Sequence, residues 1–166
     1  MTMPNTESIL SELKDYLAIR ERNPGFRLSE YAWLKLTPDV LVSTMAILWP
    51  TFIMRNGGMF FEEGFSEKVF HQWIAHFNGD IHETEKMMNH QHIRDLIQSD
   101  NRLPDSVVRY LGQALVCFWQ VAIHAQFPDL SVVVMSEWDA ENNDVVVSIY
   151  QNEEGREQHS TMSAQT

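Results

Sequence analysis

Hydrophobic positions along this chain recur mostly at helical spacing, and two stretches alternate or run apolar as strands do. Ile9, Leu10, Leu13, Leu17 and Ala18 mark a first helix. Asn5 or Thr6 can cap it, Glu7 and Glu12 suit its N-terminal half, and Asn23-Pro24-Gly25 ends it. Residues 26–36 read either way. Ser29 can cap a short helix through Tyr31, Trp33 and Leu34, whereas Phe26-Arg27-Leu28 also suits extended chain. Thr37-Pro38-Asp39 restarts a helix with a cap and a proline at its first position. Pro50 disfavours helix at the residue before it, so this helix should end at Leu48 or Trp49. Val40, Leu41, Val42, Met45, Ala46, Ile47, Leu48 and Trp49 leave it little polar surface, which predicts burial on most sides.

Asn56-Gly57 between two apolar runs predicts a hairpin, because both central residues of a type I′ turn need positive φ. The register then sets Met54 opposite Met59 and Ile53 opposite Phe60. Ser66 caps the next helix, whose inner stripe is Phe70, Trp73, Ile74 and Phe77, and Asn78-Gly79 closes it. Asp80 and Glu83 form a capping-box pattern for a further helix carrying Ile81, Met88, Ile93, Leu96 and Ile97, expected to end near Ser99-Asp100-Asn101. A continuous stripe from Val107 through Leu111, Leu115 and Phe118 to Ile123 predicts one long core helix over about 104–126, stopped by Pro128. Two β-rich runs, Leu130 to Trp138 and Asp144 to Gln151, flank a turn at 139–143. Val132-Val133-Val134 and Val145-Val146-Val147 are apolar on both faces, so their sheet needs cover on both sides.

These elements predict an α+β fold in a single domain over residues 1–151. About five helices surround a long central helix, with one or two antiparallel hairpins, the C-terminal one on the outside. Residues 152–166 are polar and lack periodicity, as a disordered tail does.

Charge changes the picture at one end of the molecule. The chain carries 12 basic and 23 acidic residues, a net charge of −11. Residues 129–166 hold eight of the acids and only Arg156 among the bases, net −7. That balance speaks against nucleic acid and against an anionic membrane surface as partners. It suits a basic protein surface, although solubility accounts for the same asymmetry. One cysteine forms no internal disulfide, which together with the absence of a signal-peptide pattern at residues 1–7 gives the expectation of a cytoplasmic protein.

Candidate chemistry is sparse. His82, His90 and His92 fall in one predicted helix, yet His90 and His92 point about 200° apart on it. No His-Glu-x-x-His is present, and no metal and no cofactor is predicted. Glu85, Asn89 and His92 share a face of that helix, with His71 on the preceding helix able to approach. A polar pair of Glu85 and His92 is therefore the candidate ligand site, or else a structural pair between packed helices. Cys117, between Val116 and Phe118, reads as a small core residue. Asp139, Glu141 and Asn143 alternate as calcium ligands begin, but Asp144 and Tyr150 stand where that loop needs Gly and Glu. The aromatic-rich segment 49–77 reads as core rather than as the lining of an apolar ligand pocket or a partner surface. No nucleophile, base and oxyanion donors assemble at recognisable spacing.

Three functions follow as expectations. The first is an interaction module that binds a basic partner through Glu137, Asp139, Glu141 and Asp144. The second is a small-molecule or metal-binding protein, with or without catalysis, built on Glu85, His92 and His71. The third is a homo-oligomeric scaffold that pairs through an uncovered edge at Val145-Val146-Val147.

Overall fold

A computed structural model describes residues 2–97 and 103–152. A 3-10 helix (Thr6–Glu12) leads into α1 (Lys14–Arg20), α2 (Leu28–Lys35) and α3 (Pro38–Leu48). The hairpin β1 (Phe52–Arg55) and β2 (Gly58–Phe61) follows, then α4 (Glu67–His76) and α5 (Ile81–Met88). The rest is β3 (Gln91–His92), α6 (Ile93–Leu96), α7 (Asp105–Gln126), β4 (Val132–Asp139) and β5 (Asp144–Gln151). This is a mixed α+β fold with two small antiparallel sheets, one of order β1-β2 and one of order β3-β5-β4.

The core lies between α7 and the second sheet. Val108, Leu115, Trp119 and Ile123 recur at helical spacing on α7, while Val145, Val147 and Ile149 alternate along β5. The two sets pack together with Val134, Met59 and Phe52. Contact is closest at Gly112, where a Cβ would sit 2.5 Å from Val145 Cγ1. Only a residue without a side chain lets α7 approach β5 this far. Among the described residues α7 is the one helix long and apolar enough to cross a membrane; half of that stretch is buried here, as in a core helix.

The hairpin forms in the expected register, Met54 opposite Met59 and Ile53 opposite Phe60, with Asn56 at φ 49° and Gly57 at φ 80°. Asn5, Thr37, Ser66 and Asp80 each accept a backbone N–H as helix caps. Residues 26–36 resolve to helix, since α2 occupies Leu28–Lys35. Its start is held by Glu30, whose side chain accepts from Arg27 N at 2.7 Å, rather than by Ser29.

Several expectations are corrected. The first helix is two pieces, a 3-10 turn and α1, divided at Leu13. The helix expected over 81–97 stops at Met88, because residues 91–92 pair with Val147 and Val146 of β5. One backbone segment cannot be both helix and sheet partner, and sheet pairing wins at Gln91–His92. Its expected end near Ser99-Asp100-Asn101 lies outside the described residues, as do 153–166 of the expected tail. Val145-Val146-Val147 is no open edge, since β5 is the central strand and pairs with β4 on one side and β3 on the other. Cys117 is half-buried rather than in the core, with Sγ 3.6 Å from Thr2 O. The largest departure is α3, in which no residue is buried.

Candidate interaction surface

The residues singled out in sequence disperse into separate structural roles. Glu85 is fully buried at the inner face of α5. Its Oε1 accepts from Met59 N at 2.6 Å and from Gln151 Nε2 at 2.7 Å, and its Oε2 accepts from Gln151 N at 3.2 Å. Asn89, one turn on, donates through Nδ2 to Met59 O at 2.7 Å and to Ile149 O at 3.2 Å. Its Oδ1 accepts from Phe61 N at 3.4 Å. The two side chains thus join β2 of one sheet to β5 of the other, in place of the backbone ladder that a continuous sheet would have. These partners are backbone groups and the Gln151 side chain, which makes the cluster a seam of the fold.

His92 does not meet Glu85. It sits on β3, with Nδ1 3.4 Å from Asp144 Oδ2. His71 stays exposed on α4, its ring edge against Phe70. Asp144 is only 3% exposed. Its carboxylate accepts from Arg94 N at 3.2 Å, at the start of α6, and from Val145 N at 2.7 Å. Among the described residues no three His, Cys, Asp or Glu side chains converge as metal ligands would.

The acidic hairpin is thinner than its composition suggests. Asp139 is turned back on its own loop, accepting from Glu141 N at 2.9 Å, Asn142 N at 3.3 Å and Asn142 Nδ2 at 2.6 Å. The Asn142 side-chain amide, then its backbone N–H, hold the Asp139 carboxyl below its ordinary range. Of the four acids expected to face a partner, Glu137 and Glu141 stand exposed at the end of the sheet.

The unusual surface lies on α2 and α3. α3 is fastened at its C-terminal end, where Trp119 Nε1 donates to Ile47 O at 2.8 Å and Gln126 Nε2 donates to Pro50 O at 2.9 Å. The preceding segment is fastened at its start, where Thr6 Oγ1 and Tyr110 OH share a hydrogen bond of 2.7 Å. Tyr16 packs its ring tilted against Phe26 and edge-on against Tyr31 and so ties α1 to α2. Between these anchors α2 buries no residue, and only Thr44, Ile47 and Leu48 of α3 are half-buried. Trp33 is 80% exposed and Val42 69%; Leu34, Leu36, Val40, Leu41, Met45 and Trp49 also stand in solvent. So many large apolar side chains standing in solvent on two successive helices are the mark of an interaction surface.

The seam beneath α3 is incompletely filled on both sides. A cleft of about 360 Å³ opens between α3, the hairpin and α7, where Phe61, Phe65, Met88 and Trp119 line it. A groove of about 230 Å³ opens on the opposite side, where Thr44, Leu48, Leu111 and Leu115 line it. Ile47 and Leu96 belong to both. Within the aromatic segment 49–77, Phe52, Phe60 and Phe70 are buried as expected, whereas Phe61 and Phe65 line this cleft and Trp49 stands exposed. Sequence reasoning missed the surface because an all-round apolar helix reads as a buried one.

Comparison of the chain with family models, with curated proteins and with solved structures brings no match.

Proposed function

We propose that this chain is a protein-interaction module that engages its partner through the exposed apolar faces of α2 and α3. One observation carries the reading: Trp33, 80% exposed, heads a run of uncovered apolar side chains that continues to Trp49. Aromatic side chains on an exposed apolar patch are what alanine scans find at the energetic centre of interfaces. A cytoplasmic setting, suggested by the single cysteine, belongs to the same proposal.

A second contact, to a basic partner surface, is supported by Glu137 and Glu141, exposed at the end of the second sheet. Such a contact would act on association rate and orientation more than on affinity. Asp139 and Asp144 are occupied within the fold and drop out of it. The small-molecule alternative at Glu85 and His92 has little support, since the two side chains serve different seams.

Affinity capture with the full chain separates the two surfaces. The pair Trp33→Ser with Val42→Glu is expected to lose the bound protein, and the pair Glu137→Gln with Glu141→Gln to retain it at reduced rate. Capture of the same protein by the first pair at wild-type yield would remove the α2–α3 proposal.

A further inference from the structure

We propose that the partner of the α2–α3 face is a second copy of this chain, the two protomers clasping each other through α3 about a twofold axis. The inference rests on the interaction-module reading and names its occupant. Three observations carry it.

The first is area. Trp33, Leu34, Leu36, Val40, Leu41, Val42, Met45 and Trp49 are between 39% and 80% exposed. At roughly 200 Å² for a whole large side chain, they offer on the order of 800 Å² of apolar surface, about what one partner contributes to a standard stable interface.

The second is charge. The chain carries −11, so two copies repel over most of their surface. Residues 26–50 hold two bases, Arg27 and Lys35, and two acids, Glu30 and Asp39, and sum to zero. This face adds no like-charge repulsion of its own when two copies approach through it. Two bases balanced by two acids are also not the Lys- and Arg-rich rim by which an interfacial helix holds an anionic membrane.

The third is shape. Val40 and Val42 are two residues apart, about 200° around the helix axis, so they face opposite ways. Both are exposed, Val40 at 48% and Val42 at 69%. The first turns of α3 therefore project past the body and show apolar side chains on both sides. A flat surface, whether a bilayer or a smooth protein face, covers only one of those sides. A partner with a projecting helix of its own covers both, and in a twofold dimer each α3 gives the other what it lacks. The groove between Leu48 and Leu111 is open to receive a side chain of the opposing arm.

Light scattering on size-exclusion fractions, over a hundredfold range of concentration, tests this on the full chain. A mass of twice the protomer is expected at the upper end. The pair Val42→Glu with Met45→Glu should raise the dimer dissociation constant at least tenfold, about 1.4 kcal/mol or more. Val121→Glu, at a 59% exposed apolar site on α7, should leave it unchanged. Circular dichroism and urea midpoints identify a variant that has merely failed to fold, and in that case Trp33→Ser repeats the mass measurement. A wild-type monomer at every concentration overturns the second copy, and so does a dimer that survives Val42→Glu with Met45→Glu. If that monomer still loses a captured protein through Trp33→Ser with Val42→Glu, the interaction-module reading stands alone. If it sediments instead with phosphatidylcholine vesicles, both readings fall.

Discussion

Gln151 meets Glu85 twice: its backbone N–H donates to Oε2 at 3.2 Å and its side-chain amide to Oε1 at 2.7 Å. The same amide continues to Gly57 O at 2.7 Å, in the turn of the first hairpin. The last residue of β5, the inner face of α5 and the hairpin turn are thereby one hydrogen-bonded unit. Burial makes the unit consequential, because a buried polar group that loses its partner keeps its full desolvation cost.

Glu85→Gln tests that unit while preserving shape. The new amide replaces one accepting oxygen by an NH2 that faces an N–H of Met59 or Gln151. At least one donor is left unsatisfied, so unfolding free energy should fall by about 1–3 kcal/mol. In urea the midpoint should drop at unchanged slope, since the exposed surface is the same. Paired with Asn89→Leu, which removes the neighbouring bridge, the loss should be smaller than the sum of the two single losses. An unchanged midpoint for Glu85→Gln would show that the carboxylate holds nothing together.

Much of this architecture could be read from local signals. Asn56-Gly57, Thr37-Pro38, Ser66 and Asp80 determine their turn and caps within a few residues, and all four behave as those residues require. The long stripe from Val107 to Ile123 has one good explanation, a core helix, and forms one. What was not legible depends on partners distant in sequence. The break after Met88 is imposed by β5, more than fifty residues on, with which Gln91 and His92 pair. Glu85 and Asn89 were placed on one face correctly, but their acceptors and donors lie on β2 and β5. For α3 the pattern of apolar residues was read as a statement about burial in this chain. Apolarity fixes only that water is unfavourable, and the covering surface can belong to another molecule.

The close approach of α7 to β5 makes Gly112 sensitive to a single methyl group. A Cβ there would lie 2.5 Å from Val145 Cγ1 and 3.7 Å from Ile93 Cγ1, so Gly112→Ala must push the helix and the sheet apart. Overpacking of this kind costs about 1–3 kcal/mol, and the melting temperature should fall accordingly. Val145→Ala removes the methyl that the new Cβ meets. The double variant Gly112→Ala with Val145→Ala should therefore recover part of the loss, although Val145→Ala alone also destabilises by leaving a cavity. If the two losses simply add, the contact is not what limits the approach.

The turn between β4 and β5 carries the clearest pH signature. Asp139 gathers the Asn142 side-chain amide and the N–H groups of Asn142 and Glu141, and the Asn142 amide is the largest influence lowering its pKa. A folded pKa below the unfolded one means the folded chain favours the ionised form. The contribution to stability is therefore complete above the ordinary value of 3.8 and disappears as pH falls through the lowered folded value. Because the carboxylate is exposed, the effect on global stability is small and the local readout is the informative one. In a carboxyl-carbon NMR titration Asp139 should titrate below the ordinary aspartate value of 3.8. Asn142→Ala should move its midpoint up towards the ordinary range and speed exchange of the Glu141 and residue 142 amides. An Asp139 midpoint indifferent to Asn142→Ala would mean that the backbone N–H groups alone shape the turn.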